Sequence, residues 1–145
     1  MPSEIIAAFL WAQLENLDVI QAKRKILWQK YYDELKILEI QGKIKLPLLP
    51  DYATNNAHMM YVVFNDLEQR TRLIERLKEQ DIHAVFHYIS LHKSAYYLQD
   101  NDFSTLPNSD FFTDNLLRLP MYFELTEEQQ KLIISSLLLF FENES

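Results

Sequence analysis

The chain has 145 residues, which suffices for one domain with a hydrophobic core of ordinary size. A net charge of -7 argues against a nucleic-acid backbone or an anionic membrane as the main partner. The chain contains no cysteine, which excludes disulfides and thiolate metal sites and is compatible with a reducing cytoplasm.

Other simple features narrow the class of protein further. Gly42 is the single glycine, so the sequence has neither a Walker loop nor a dinucleotide-binding fingerprint. The start of the chain lacks a basic segment followed by an apolar core, so we expect no signal peptide. The apolar runs are too short for a membrane-spanning helix, and we expect a cytoplasmic protein.

The chain opens with a long helical pattern. Ser3 is a suitable N-cap, and apolar residues then recur at helical spacing with no glycine or proline before Gly42. This pattern predicts one long helix over about residues 3–39, or two helices with a kink near Asp18.

The first part of this helix is apolar almost all round, including Phe9, Leu10 and Trp11. Such a helix requires burial on more than one side. One interpretation is a core helix of this domain. The other is a surface for a second domain or a second copy of the chain, and this one predicts self-association, since these side chains otherwise face water.

The pattern of residues from about 43 to 142 predicts a small α+β domain. Together with the long helix, the 145 residues should form a single domain. A largely antiparallel three-stranded sheet should carry helices on one face. The strands are expected at 43–47, 58–64 and 82–88. The helices are expected at 67–80, from Ser109 or Asp110 to about 117, and at 127–142, with a short extended piece at 119–122. Asn65-Asp66 should cap the first of these helices, and Thr126 and Gln129 should form a capping box at the start of the last.

His87, Tyr88 and His92 are the residues that the sequence singles out for binding. They belong to the stretch 82–97, which holds three of the four histidines and three of the eight tyrosines. A strand that ends in paired His and Tyr side chains offers donors, acceptors and a stacking face to a ligand. The alternative is a histidine bonded to backbone beside a tyrosine at an interface.

The same stretch predicts neither a metal site nor a nucleophile. On a strand His83 and His87 would lie about 13 Å apart, at about 3.3 Å per residue, too far to share an ion. Ser90 lies between His87 and His92, but serine near histidine is common by chance and no Gly-x-Ser-x-Gly elbow is present. For His58 and His83 we expect structural roles.

Five segments of the chain resemble one family, and they follow in that family's order. They are PSEIIAAFLWAQLE at 2–15, LWQKYYDEL at 27–35, NAHMMY at 56–61, AVFHYISLH at 84–92 and LRLPMY at 117–122. Together they resemble the DegT/DnrJ/EryC1/StrS family of pyridoxal-phosphate-dependent sugar aminotransferases, which have fold type I. The His-Tyr-x-x-Leu-His segment is the most diagnostic, and the resemblance covers nearly the whole chain.

The resemblance implies that the chain is the C-terminal, small-domain portion of such an enzyme. The family's N-terminal large domain, with the Schiff-base lysine, the acid beside the pyridine nitrogen and the aromatic on the ring, has no counterpart here. Lys93 follows His92, but its context is not the family's lysine motif. We therefore expect no catalytic, cofactor-binding or metal-binding residue, no pyridoxal phosphate bound by this chain alone, and no activity of the lone chain.

The resemblance also implies roles for particular residues. His87, Tyr88 and His92 would lie near the sugar-nucleotide pocket, facing the cofactor from the small-domain side. The first helix, with Phe9 and Leu10, would pack against the missing large domain or near the dimer interface. The implied reaction moves an amino group from glutamate to a dTDP-4-keto-6-deoxy sugar. The alternative is a non-catalytic binding or oligomerisation module that retains the fold.

Overall fold

A computed structural model describes residues 3–102 and 105–143. Two consecutive helices begin the chain, α1 (Glu4–Glu15) and α2 (Leu17–Ile40). The Ser3 hydroxyl caps α1 by accepting a hydrogen bond from the Ile6 amide at 3.4 Å. Two helices with a break near Asp18 are thus confirmed over one continuous helix.

Asn16 separates the two helices. Its backbone, at φ -106° and ψ 11°, leaves the helical region. Its side-chain amide donates to the Ala12 carbonyl at 3.1 Å. Asparagine favours helix ends because its amide competes with the backbone for such bonds.

Three short strands form an antiparallel sheet in the order β1 (Ile44–Lys45), β2 (Met60–Phe64), β3 (Leu116–Leu119). Ile44 pairs with Phe64, and Met60 pairs with Leu119. The central strand β2 is apolar on both faces because both are covered, as its continuous apolar run indicates. The α+β class with a small antiparallel three-stranded sheet is confirmed.

The third strand is not the one that the sequence predicted. Residues 82–88 form a single antiparallel bridge, between Val85 and Arg118, and are otherwise irregular. The third strand is β3. The sequence pattern instead predicts the end of a helix and a short extended piece for these residues. Pro120 explains the short pairing, since the next hydrogen-bonded pair toward His83 would need an amide that proline lacks.

Four further helices complete the described residues, together with one 3-10 turn at Leu91–Lys93. Asp66 caps the first of them by accepting from the Gln69 amide at 2.8 Å, as predicted. Thr126 and Gln129 form the predicted reciprocal capping pair. The helices are α3 (Leu67–Lys78), α4 (Tyr97–Asp100), α5 (Pro107–Asn115) and α6 (Glu127–Asn143).

Helix α5 begins at Pro107 and not near Ser109 or Asp110. Proline suits this first position because its missing amide would have no partner there. One consequence is that Ser109 and Asp110 lie within the first turns of α5, where their side chains serve other contacts.

The core lies between α2, the sheet, α3 and α6. Tyr31, Leu35, Phe64 and Leu137 are at most 1% exposed. By contrast, α1 has no buried residue, so the interpretation of α1 as a core helix of this domain is wrong. None of the helices in the described part of the chain combines the length and apolar composition that crossing a membrane requires.

Candidate functional site

His87 and Tyr88 lie together on the surface. Their rings stack at a centroid distance of 4.6 Å and an interplanar angle of 22°. Tyr88 is 75% exposed. An exposed imidazole beside an exposed phenol presents polar atoms and an aromatic face to a ligand.

Side chains alternate along the segment that leads to this pair. Ala84 is buried, and the Phe86 ring packs under the Arg70 guanidinium at 4.5 Å. His83, Val85 and His87 share the opposite side, as alternate residues of an extended chain do. The strand prediction was wrong, but the alternation that it implied is present.

A groove of about 190 Å³ opens on that side. Its polar side chains are His58, His83, His87 and Arg118. Apolar residues complete the lining, namely Met59, Val85, Leu119, Pro120 and Met121. The structure thus brings three of the four histidines to one groove, although they come from two separate segments.

Arg118 connects β3 to the His87 side chain. Its Nη1 donates to His87 Nδ1 at 2.9 Å, and its backbone exchanges hydrogen bonds with Val85. Because Nδ1 accepts this bond, the ring proton of a neutral His87 lies on Nε2. Within residues 3–102 and 105–143, no carboxylate forms an ion pair with Arg118.

Helix α2 holds the loop that carries His58. Arg24 donates to the carbonyls of Ala57, at 3.0 Å, and of His58. Trp28 donates through its indole nitrogen to the Met59 carbonyl at 3.2 Å. Ala57 has a φ of 50° and is fully buried, so this wall of the groove is a constrained turn.

His92 has a different environment from His87 and Tyr88. It is 6% exposed, and its Nε2 lies 2.9 Å from Asp110 Oδ1. Lys93 Nζ contacts the same oxygen at 2.8 Å. The hydrogen bond and ion pair with Lys93 hold the pKa of Asp110 below its usual value, and Asp110 raises the pKa of Lys93.

The Ser90 hydroxyl pairs with other hydroxyl groups rather than with a histidine. It contacts Ser109 Oγ at 2.8 Å and Thr113 Oγ1, both on α5. Ser109, Asp110 and Thr113 thus form one side of α5 that contacts the segment 88–93. The expectation that Ser90 is not a nucleophile stays a prediction.

Lys93 does not fit the Schiff-base lysine of a pyridoxal phosphate site. Lys93 is held as an ammonium by Asp110, whereas a Schiff-base lysine needs a neutral amine. No lysine lines the cavities of about 430, 320 and 190 Å³ in the described part of the chain. The same residues contain no group of three side chains suited to a metal ion.

Sequence reasoning missed Arg118, Arg24 and Asp110. A signal for Arg118 was available, because a single arginine between Leu117 and Leu119 is the alternation of a strand with one polar face. The contact of Arg24 with the carbonyls 33 and 34 residues away carries no local pattern. The role of Asp110 required knowing where α5 packs.

Residues 2–138 match the model of the DegT/DnrJ/EryC1/StrS aminotransferase family. The fold is similar to aminotransferase TlmJ from Streptoalloteichus hindustanus, with a TM-score of 0.82, 20% identity, and coverage of 92% of this chain and 35% of that protein. That likeness establishes the fold alone.

Two further structures are similar at 26% identity. One is a DegT DnrJ EryC1 StrS aminotransferase from Brucella abortus, with a TM-score of 0.76 over 92% of this chain and 34% of that one. The other is DesV of S. venezuelae in complex with a ketimine intermediate, with a TM-score of 0.80 over 90% and 34%. The chain therefore spans about a third of the length of the structures it matches.

Proposed function

Because the chain belongs to the DegT/DnrJ/EryC1/StrS aminotransferase family, we propose that it is the C-terminal, small-domain portion of a sugar aminotransferase. The match over residues 2–138 is the observation that carries this proposal. The family depends on pyridoxal phosphate, which supplies the electron sink for amino transfer. We infer that the cofactor is held in a large N-terminal domain outside these 145 residues, since the ammonium group of Lys93 is paired with Asp110.

The proposed reaction transfers the amino group of glutamate to C4 of a dTDP-4-keto-6-deoxy sugar. Its products are the 4-amino sugar nucleotide and 2-oxoglutarate. The sequence segments resemble dTDP-4-amino-4,6-dideoxygalactose transaminase, which serves enterobacterial common antigen and related surface polysaccharides. The enzyme would act in the cytoplasm, where nucleotide sugars are made.

His87, Tyr88 and His92 contribute to the substrate side of the site in different ways. The exposure of His87 and Tyr88 supports direct contact of both with the sugar nucleotide. The burial of His92 and its bond to Asp110 support a positioning role, in which His92 holds the segment that carries the other two.

The first helix supplies the proposed contact with the rest of the enzyme. Phe9, Leu10 and Trp11 are 58–72% exposed, and α1 buries none of its residues against this domain. An exposed helix that is apolar on several sides is typical of an interface. We assign it to the large domain or to a second copy of the chain.

A cofactor-trapping experiment tests the proposal that pyridoxal phosphate is held by the large domain and not by this chain. The chain is incubated with pyridoxal phosphate, reduced with borohydride, and mapped by mass spectrometry. No single lysine should be labelled, because Lys93 is held as an ammonium and the cavities contain no lysine. Stoichiometric labelling of one lysine, above all Lys93, would show that this portion holds the cofactor itself.

Activity is tested in a chimera, in which this chain replaces the matching third of a related aminotransferase. Formation of 2-oxoglutarate from glutamate and a dTDP-4-keto-6-deoxy sugar is measured. Tyr88→Phe should lower kcat/KM about tenfold, the effect of one lost hydrogen bond to substrate. Tyr52→Phe, at an exposed tyrosine on the loop before β2, is the control. Folded chimeras that bind the sugar nucleotide without turnover would instead support a non-catalytic module.

A further inference from the structure

We propose that the groove between His58, His83, His87 and Arg118 binds a compact oxyanion, a phosphate or carboxylate group. The protein as a whole is acidic, with a net charge of -7. The groove lining nevertheless contains one arginine and three histidines and neither Asp nor Glu. The proposal rests on these groups alone and stands whether or not the chain takes part in amino transfer.

The Arg118 guanidinium is the charged group of the groove. One of its N–H groups is used by His87 Nδ1, at 2.9 Å. A guanidinium has five N–H donors, and paired donors in one plane suit the two oxygens of a carboxylate or phosphate. Because no carboxylate in the described part of the chain pairs with Arg118, an external anion would meet an uncompensated charge.

The histidines add neutral donors around this charge. The bond from Arg118 to His87 Nδ1 leaves the Nε2–H of a neutral His87 as a donor. His58 and His83 line the same groove and are exposed, so an anion can reach their rings. An imidazole offers at least one N–H in either charge state.

Hydrogen bonds to the backbone hold both walls of the groove in place before any ligand binds. On one wall, Val85 and Arg118 exchange hydrogen bonds of 3.1 and 2.8 Å. On the other, Arg24 and Trp28 bind the carbonyls of residues 57–59, and Arg24 brings a second positive charge to the His58 backbone. A preformed site loses less conformational entropy on binding.

The size of the groove limits the ligand. Its volume of about 190 Å³ is below the roughly 300 Å³ at which pockets for whole small molecules begin. One charged group fits, either free or as the end of a larger molecule. A separate cleft of about 430 Å³ shares His83 and Pro120 with the groove, so a larger ligand has room to continue there.

The four histidines make the test specific. The imidazole signals of the full chain are followed by NMR during titration with inorganic pyrophosphate, and separately with glutarate, at constant pH and ionic strength against chloride. His58, His83 and His87 should shift together and saturate with one Kd. His92, which is buried against Asp110, should not shift and serves as the internal reference.

Arg118→Gln should weaken binding about tenfold or more, since a charge-assisted hydrogen bond is lost. Arg72→Gln removes the same charge on the exposed side of α3 and should leave Kd unchanged. His58→Gln and His83→Gln, both at exposed positions, test whether these histidines contribute to anion binding without a change in β3.

The two probes distinguish the sources of the oxyanion. Saturation by pyrophosphate alone assigns the groove to phosphate groups, and saturation by glutarate alone assigns it to carboxylates. If neither probe saturates, if all four histidines shift in proportion, or if Arg118→Gln and both histidine variants bind as the parent does, the proposal is overturned. None of these outcomes depends on the cofactor-trapping experiment or the chimera, so the two proposals fail separately.

Discussion

Asp110 shows how one side chain holds the site together at the scale of single residues. Its carboxylate accepts from His92 Nε2 and from Lys93 Nζ, and it projects from the first turn of α5. The pKa of Asp110 is lowered chiefly by Lys93, and that of Lys93 is raised chiefly by Asp110. These contacts fix the segment that follows His87 and Tyr88 onto a helix.

The signs of these two shifts predict opposite pH dependences. A carboxyl whose pKa is lower in the folded state stabilises the fold above its unfolded-state pKa, near 3.9, and loses that contribution as pH falls through the folded-state pKa. The raised pKa of Lys93 gives a contribution that is complete below about pH 10.4 and is lost as pH rises through the folded-state pKa.

Asp110→Asn should therefore destabilise the chain near neutral pH and lose less stability than the parent as the pH falls below about 4. The urea midpoint at a series of pH values measures this. Asp51→Asn, at an exposed loop position, should lose stability at low pH to the same extent as the parent. If the difference in urea midpoint between Asp110→Asn and the parent stays constant down to the lowest pH, the Asp110 carboxylate does not have the stabilising role assigned to it.

At the scale of elements, α1 differs from every other long helix of the chain. Helix α2 buries five side chains and α6 buries seven, whereas α1 buries none. The break at Asn16 separates α1 from α2, whose buried residues begin at Leu27. Helix α1 is therefore available for another domain or another copy without any change in the core.

Deletion of residues 1–15 should leave the free energy of unfolding within about 1 kcal/mol of the parent, because no buried apolar surface is lost. The deletion should also abolish self-association, which sedimentation velocity measures for the full chain. A double variant, Phe9→Ser with Trp11→Ser, should act like the deletion. Ile40→Ser, at an equally exposed residue on α2, is the control. A full chain that stays monomeric at high concentration would refute the role of α1 in self-association.

At the scale of the whole molecule, one cluster of buried side chains joins α2, the sheet, α3 and α6. Phe64 of the central strand stacks on Phe141 of the last helix, with ring centroids 6.0 Å apart. Gln130 is fully buried and donates to the Leu27 carbonyl at 2.7 Å. The last helix is thus held to the central strand and to α2 through contacts distant in sequence.

Leu137→Ala should cost about 2–5 kcal/mol of unfolding free energy, because the side chain is fully buried and leaves a cavity. Leu139→Ala, two residues along the same helix and 49% exposed, should cost less than about 1 kcal/mol. Urea denaturation of both variants measures the difference. Equal losses would show that α6 does not pack on α2 and the sheet as described.

The sequence by itself determined the features that depend on neighbouring residues. Helical spacing, the caps at Ser3, Asp66 and Thr126, and the apolar central strand are local patterns, because hydrogen bonds within a helix or its cap join residues three or four apart. The family resemblance was also readable, since its segments are short and ordered along the chain.

The tertiary structure decided the features that join distant segments. The choice of residues 116–119 over 82–88 as third strand depends on pairing with β2, more than 50 residues away, and on Pro120, which limits pairing with Val85. The groove unites His58, His83 and Arg118 only because that pairing brings their backbones together. Strand partners have no fixed spacing in sequence, and for this physical reason no local pattern could have placed these side chains side by side.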